Sequence, residues 1–136
     1  MKLEDLVIPD DRYYTKDHEW ALPEDDGTVR VGVTDYAVQR LNEVVFVETP
    51  TEGMEVVQAM PIGTVESVKA VSEVFSPVTG IIMKSNEALA FSPELVNQDP
   101  YGRGWIVVVA PSDLQRELSM LLDRAAYTAY VKHLLT

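Results

Sequence analysis

Cysteine is absent from this chain, which excludes a disulfide framework, a thiolate nucleophile and a thiolate metal ligand. Histidine occurs twice, as His18 and His133. The two lie far apart with no cysteine to complete a set, so a structural zinc site is not expected. Bases are scarce: 11 lysines and arginines against 22 acids leave a formal net charge of −11. Nucleic acid phosphates require a basic footprint, so that class of partner is excluded. No apolar run approaches the roughly 18 residues of a membrane span, and the longest candidates, residues 105–110 and 44–47, have the length of strands. The opening M-K-L-E-D-L holds acids and no arginine and reads as neither a secretory signal nor an Arg-rich transit peptide. The expectation is a cytoplasmic protein of bacterial or archaeal type.

What is present fits one domain. The 136 residues are 46% hydrophobic, enough to bury a core of ordinary size. Residues 18–22 read as a short strand, and P-E-D-D-G at 23–27 is a turn signal. Val29, Val31 and Val33 alternate at period two. Thr34 can cap a helix over 35–41 whose inner face is Tyr36, Ala37 and Leu41. Further strands are expected at 44–48, 54–57, 63–68, 71–75, 81–84 and 105–110, the last apolar enough to be buried on both faces. Between them, 86–104 is long and punctuated by proline and glycine, which predicts an ordered Ω-type segment. After residue 110 the period changes. Ser112 and Gln115 form a capping-box pattern. Leu114, Leu118, Leu121 and Leu122 share one helical face, and Tyr127, Tyr130, Val131 and Leu134 share another. The reading is mainly β, a sandwich or flattened barrel with C-terminal helices laid against it. One domain spans 1–136, with the β body at about 14–110 and helices at about 112–135.

The run V-E-S-V-K-A-V-S-E-V from Val65 to Val74 is nearly palindromic about Lys69-Ala70. If that pair is a two-residue turn, Val68 faces Val71, Ser67 faces Ser72, Glu66 faces Glu73 and Val65 faces Val74, with Lys69 displayed at the tip. Two-residue hairpin turns favour glycine or asparagine, and like charges directly opposite are mildly destabilising. The tip therefore departs from local rules twice, as functional sites do. On spacing alone, an ordinary surface hairpin with a solvated lysine is the better reading.

Longer stretches narrow the choice. Gly63-Thr-Val-Glu-Ser-Val-Lys69-Ala-Val-Ser-Glu resembles the lipoyl-attachment segment of the glycine cleavage system H protein family. Tyr14-Thr-Lys-Asp-His-Glu-Trp20, Val31-Gly-Val-Thr-Asp-Tyr-Ala37, Glu43-Val-Val-Phe-Val-Glu48 and Glu94-Leu-Val-Asn-Gln-Asp-Pro-Tyr-Gly102 followed by Gly104-Trp105 match in order. The resemblance implies a barrel-sandwich hybrid of two small antiparallel sheets, lipoyl/biotinyl-like, with the modified lysine on a hairpin tip. It implies a non-enzymatic carrier whose covalent lipoate sits on Lys69. It also implies as partners a glycine decarboxylase (P protein), an aminomethyltransferase (T protein), a dihydrolipoamide dehydrogenase (L protein) and a lipoate-attaching enzyme. Glu66, Ser67, Val68, Ala70 and Val71 then frame recognition by that last enzyme. By the same resemblance Glu19, Arg40 and Glu73 belong to the cleft that shelters the arm: Glu19 as an acid able to pair with the cargo's ammonium, and Arg40 where some relatives carry a histidine. A second cation there would not help to hold a cationic cargo. Trp20 and Trp105 read as packing residues and His18 as structural.

The chemistry of the residues agrees with such a role. Acylation removes the ammonium of a lysine, so a modified arm enters a partner's pocket without desolvating a charge. Tethering holds a substrate at an effective concentration of about mM between successive sites. A chain free of cysteine cannot trap a dithiol cofactor as a mixed disulfide. Competing readings are a lipoyl domain of another swinging-arm complex, a biotin carrier, an H-like lipoyl donor, or an interaction domain with no prosthetic group. The two lysine flanks, Val68 and Ala70, are not the methionines usual in biotin domains. A hydrolase using Glu66 and Glu73 as a carboxylate pair would need a cleft around them.

Overall fold

The computed structural model describes residues 1–136. A single 3-10 turn at Leu3–Asp5 precedes β1 (Tyr13–Tyr14), β2 (Glu19–Pro23), β3 (Val29–Val33), α1 (Asp35–Leu41), β4 (Val44–Glu48), β5 (Glu55–Val56), β6 (Pro61–Ser67), β7 (Val71–Phe75) and β8 (Gly80–Ser85). Then come α2 (Ala88–Phe91), α3 (Leu95–Gln98), β9 (Val107–Pro111), α4 (Leu114–Leu118) and α5 (Arg124–Leu134). The strands form a six-stranded sheet in the order β1-β2-β3-β9-β8-β5 and a three-stranded sheet in the order β4-β6-β7. Every pairing is antiparallel.

Between the sheets lies a core of 20 buried residues, mostly valine, the side chain that best fits a pleated surface. Val29, Val31 and Val33 all point into it, as their alternation requires, and Val107, Val108 and Val109 are buried together. A second cluster is aromatic: Tyr14, Trp20, Tyr36 and Tyr127 with Ile8 and Val131. It seats α5 on the β1–β2 end, where the Tyr14 and Tyr127 rings stack at 4.5 Å. Trp20 stands opposite Gly32. A Cβ on Gly32 would lie 2.5 Å from the Trp20 indole, so the buried ring requires glycine across from it.

Thr34 caps α1 by accepting from the Ala37 amide. The helix buries Tyr36, Val38 and Leu41, and Ala37 packs half-buried against the same core. The segment 86–104 is ordered by the one-turn helices α2 and α3. Asn86 donates to the carbonyls of Arg103 and Trp105 and closes the loop at its base.

The capping box does not form. Ser112 donates to the Thr79 carbonyl, and the residue before α4 is Asp113, whose side chain caps nothing. Nor do Leu114, Leu118, Leu121 and Leu122 share a helical face, because α4 stops at Leu118 and Leu122 bridges to Tyr14. The residue α4 buries is Glu117, whose carboxylate accepts from the Thr79 amide at 2.7 Å and hydroxyl at 2.6 Å. A tertiary anchor replaces the amphipathic stripe.

Candidate functional site: the Lys69 hairpin and its groove

The β6–β7 hairpin is two residues out of the expected register. Glu66 faces Val71, Val65 faces Ser72, Thr64 faces Glu73 and Gly63 faces Val74. The tip is therefore Val68-Lys69, closed by the Ser67 amide donating to the Ala70 carbonyl at 2.8 Å. Side chains alternate with period two, so this slide leaves each residue on its original face. It abolishes the Glu66–Glu73 opposition, and neither acid lines the groove at Lys69 or the pocket at Glu19. The reason lies in Ser67. Its buried hydroxyl oxygen accepts from the amides of Lys69 and Ala70, at 3.1 and 3.0 Å. That bracing turns the chain without positive φ at residues 68–70, so glycine is not needed. A Cβ at Gly63 would collide with the Glu48 carbonyl of β4, which fixes how closely the hairpin lies on its neighbour.

Lys69 is exposed, and its ammonium donates to the Arg40 carbonyl at 3.2 Å. It borders a groove of about 320 Å³ together with Asp17, His18, Arg40, Leu41 and Ser72. The groove is walled on one side by β7, an edge strand of its sheet, and on the other by α1 and the β1–β2 turn. Arg40 reaches it from the last turn of α1 and donates to the Tyr36 hydroxyl at 3.2 Å.

Glu19 is not in that groove. It lines a neighbouring pocket of about 270 Å³ with Thr15, Lys16, Phe75 and Met120, and Asp17 lines both cavities. Nor is Glu19 a surface acid: it is 1% exposed. It accepts from the Thr15 hydroxyl at 2.6 Å and the Phe75 amide at 3.2 Å, so it holds the edge of β7 against the β1–β2 turn. Burial pushes its carboxyl up to about 7, against the opposing pull of those two hydrogen bonds. Glu73 is exposed and borders neither cavity, so the three cleft candidates do not come together in one site.

Asp17 escaped the sequence reading, and His18 entered it only as a structural residue. Asp17 carries no local pattern of its own. His18 lies in the left-handed region at φ 70°, inside a turn braced by Thr15, whose hydroxyl oxygen accepts from the Asp17 and Glu19 amides. Its ring packs on Tyr36 and Tyr130, and Nδ1 lies 2.9 Å from the Tyr127 hydroxyl. Burial, assisted by the Arg40 charge, pushes its imidazole down to about 4. At neutral pH the groove therefore presents a neutral imidazole between Arg40 and Asp17. The only local hint at His18 is the D-H-E-W run itself, because its partners lie far along the chain on α1 and α5.

The chain matches the family model described as glycine cleavage H-protein over residues 12–134. It is 52% identical over 122 residues to a probable glycine cleavage system H protein of Thermococcus gammatolerans, covering 90% of each chain. It is 53% identical over 122 residues to a glycine cleavage system H protein of Thermus thermophilus, covering 90% of this chain and 94% of that one. The crystal structure of a glycine cleavage system H protein from Mycobacterium marinum superposes with a TM-score of 0.81 at 40% identity, covering 90% of this chain and 97% of the other.

Proposed function

The chain belongs to the glycine cleavage H-protein family, and from that membership we propose that Lys69 is its lipoyl attachment site. The protein is a non-catalytic carrier of the glycine cleavage system. It moves the aminomethyl group of glycine from the decarboxylase to the aminomethyltransferase, and its dithiol to dihydrolipoamide dehydrogenase. When attached, the lipoyl group would supply a disulfide able to accept the one-carbon unit together with two electrons and a proton.

The observation that carries the Lys69 assignment is an exposed amine at the tip of a braced hairpin, opening onto a groove. Ser67 fixes the two amides on either side of the acylated position, so the side chain leaves the hairpin in a set direction. The amine's hydrogen bond is to a backbone carbonyl at the surface, which an amide N–H replaces at little cost. The residues fit the group. The groove that starts at Lys69 is lined by Asp17, which also borders the Glu19 pocket, so the Asp17 carboxylate is available to a cationic cargo. Arg40 lies beside the lysine and not beside Glu19. Its charge therefore acts on the stalk and leaves the acid end of the groove free.

In this reading Glu66, Ser67, Val68, Ala70 and Val71 present the lysine to the lipoate-attaching enzyme, residues 1–136 act as one carrier unit, and the protein works in the cytoplasm. No helix is long and apolar enough to cross a membrane. Service as a lipoyl donor to other complexes uses the same amine and is separated from glycine oxidation by assay with glycine decarboxylase. The direct test is intact mass and peptide mapping after expression with lipoate. One lipoyl group on Lys69 is the expected result; modification of another lysine, or none, would overturn the assignment.

A further inference from the structure

An antiparallel sheet with one solvated face ordinarily carries polar side chains there. The three-stranded sheet departs from this around the lysine. Phe46 of β4, Glu66 of β6 and Val71 of β7 stand directly opposite one another, so their side chains share one row on the outer face. Phe46 is 51% exposed and Val71 62%; Val68, at the tip, is 71% exposed. A register shift between Val44 and Phe46 turns Val45 outward as well. The next row is Glu48, Thr64 and Glu73. Exposed apolar side chains, Phe46, Val71 and Val68, thus flank Glu66 beneath Lys69, and Glu48 and Glu73 stand in the row behind.

We propose that this outer face is the seat of the glycine decarboxylase. Phe46, Val68 and Val71 enter an apolar socket at the mouth of its active site, and Glu48, Glu66 and Glu73 meet lysines and arginines on its rim. The proposal rests on Lys69 being the attachment site, because the partner must close around that stalk. The patch is continuous with it: Val68 adjoins Lys69, and Val71 borders both the patch and the groove. Charge agrees, since a chain of net charge −11 is steered toward a basic rim. The cargo's charge separates this partner from the aminomethyltransferase. A cationic cargo is attracted to Asp17, on the groove side. The uncharged arm offered to the decarboxylase has no such hold, and the contact around it must come from the outer face. Decarboxylation also needs water kept from the reacting carbon, which an apolar contact around the stalk provides.

The test is direct binding of the purified carrier, with and without lipoate, to purified glycine decarboxylase, for the wild type and for Phe46→Ser. We expect the dissociation constant to rise by about tenfold or more, as for loss of a central aromatic anchor. The carrier's KM in glycine–bicarbonate exchange should rise by the same factor with kcat unchanged. Intact mass should show full lipoylation of the variant. Glu48→Lys with Glu73→Lys should slow association and flatten its salt dependence. Unchanged affinity in fully lipoylated Phe46→Ser refutes the proposal. So does a defect confined to the aminomethyltransferase, the dehydrogenase or the lipoate-attaching enzyme. If Phe46→Ser loses its fold, Val71→Ser gives the same readout from an edge strand. Failure of the Lys69 assignment shows separately, in the mass of the wild type before any binding is measured.

Discussion

Replacing Glu19 by glutamine should make the carrier more stable at pH 8 and reshape its stability profile. The carboxyl titrates near 7 in the folded chain against an ordinary 4.5, because burial opposes its charge. Between those values the native state holds a proton that the unfolded chain has released. Stability contributed by this group is therefore complete below about pH 4.5 and lost as pH rises through 7. The loss is on the order of 3 kcal/mol. His18 works in the opposite direction. Its imidazole titrates near 4 against an ordinary 6.5, so between those values the unfolded chain holds the extra proton and stability falls as pH falls. From about pH 4.5 to 6.5 the two slopes, each roughly 1.4 kcal/mol per pH unit, nearly cancel. Wild type should be flat there and decline toward pH 7.5. Glu19→Gln removes one slope and leaves the other: its stability should climb from pH 4.5 to 6.5 and then level. Glutamine offers one acceptor where Thr15 and Phe75 need two, a loss of about 1 kcal/mol. The net gain at pH 8 is about 2 kcal/mol, or roughly 4–10 °C in Tm for a chain of this size. Urea melts followed by tryptophan fluorescence at half-unit pH steps read the free energy, and thermal melts at the same pH values read the Tm. Parallel wild-type and variant profiles would refute the assignment of the upward shift to Glu19.

Other outcomes follow from single contacts. Lys69→Arg should abolish the mass increment and glycine cleavage while leaving the melting curve unchanged, since the exposed tip packs against little. Ser67→Ala removes the acceptor for two tip amides and should cost about 1 kcal/mol and slow lipoylation, read by a time course of intact mass. Glu117→Ala leaves the half-buried Thr79 amide without its acceptor and the Thr79 hydroxyl with only Gln58 and should lower stability by about 1–2 kcal/mol, seen as a shifted urea midpoint at constant slope.

Local chemistry carried much of this molecule. The alternation of Val29, Val31 and Val33, the Thr34 cap and the 44–48 run specify their elements within a residue, because each signal acts over a few positions. The family segments around Lys69 carried the role, since an attachment lysine and its frame are contiguous. Signals that misled were those whose outcome depends on a distant partner. Ser112 met the Thr79 carbonyl in place of a helix amide, and Glu117 found Thr79 and turned inward.

What the chain decides unaided is therefore the set of strands, the valine core and the lysine that is displayed, all consequences of short-range periodicity and contiguous motifs. Only the packed structure decides the burial of Glu19 and the grouping of Asp17, His18 and Arg40 beside Lys69. Those depend on backbone approaches between segments tens of residues apart, where a hydroxyl or a carboxylate takes whichever partner the folded sheets bring within reach.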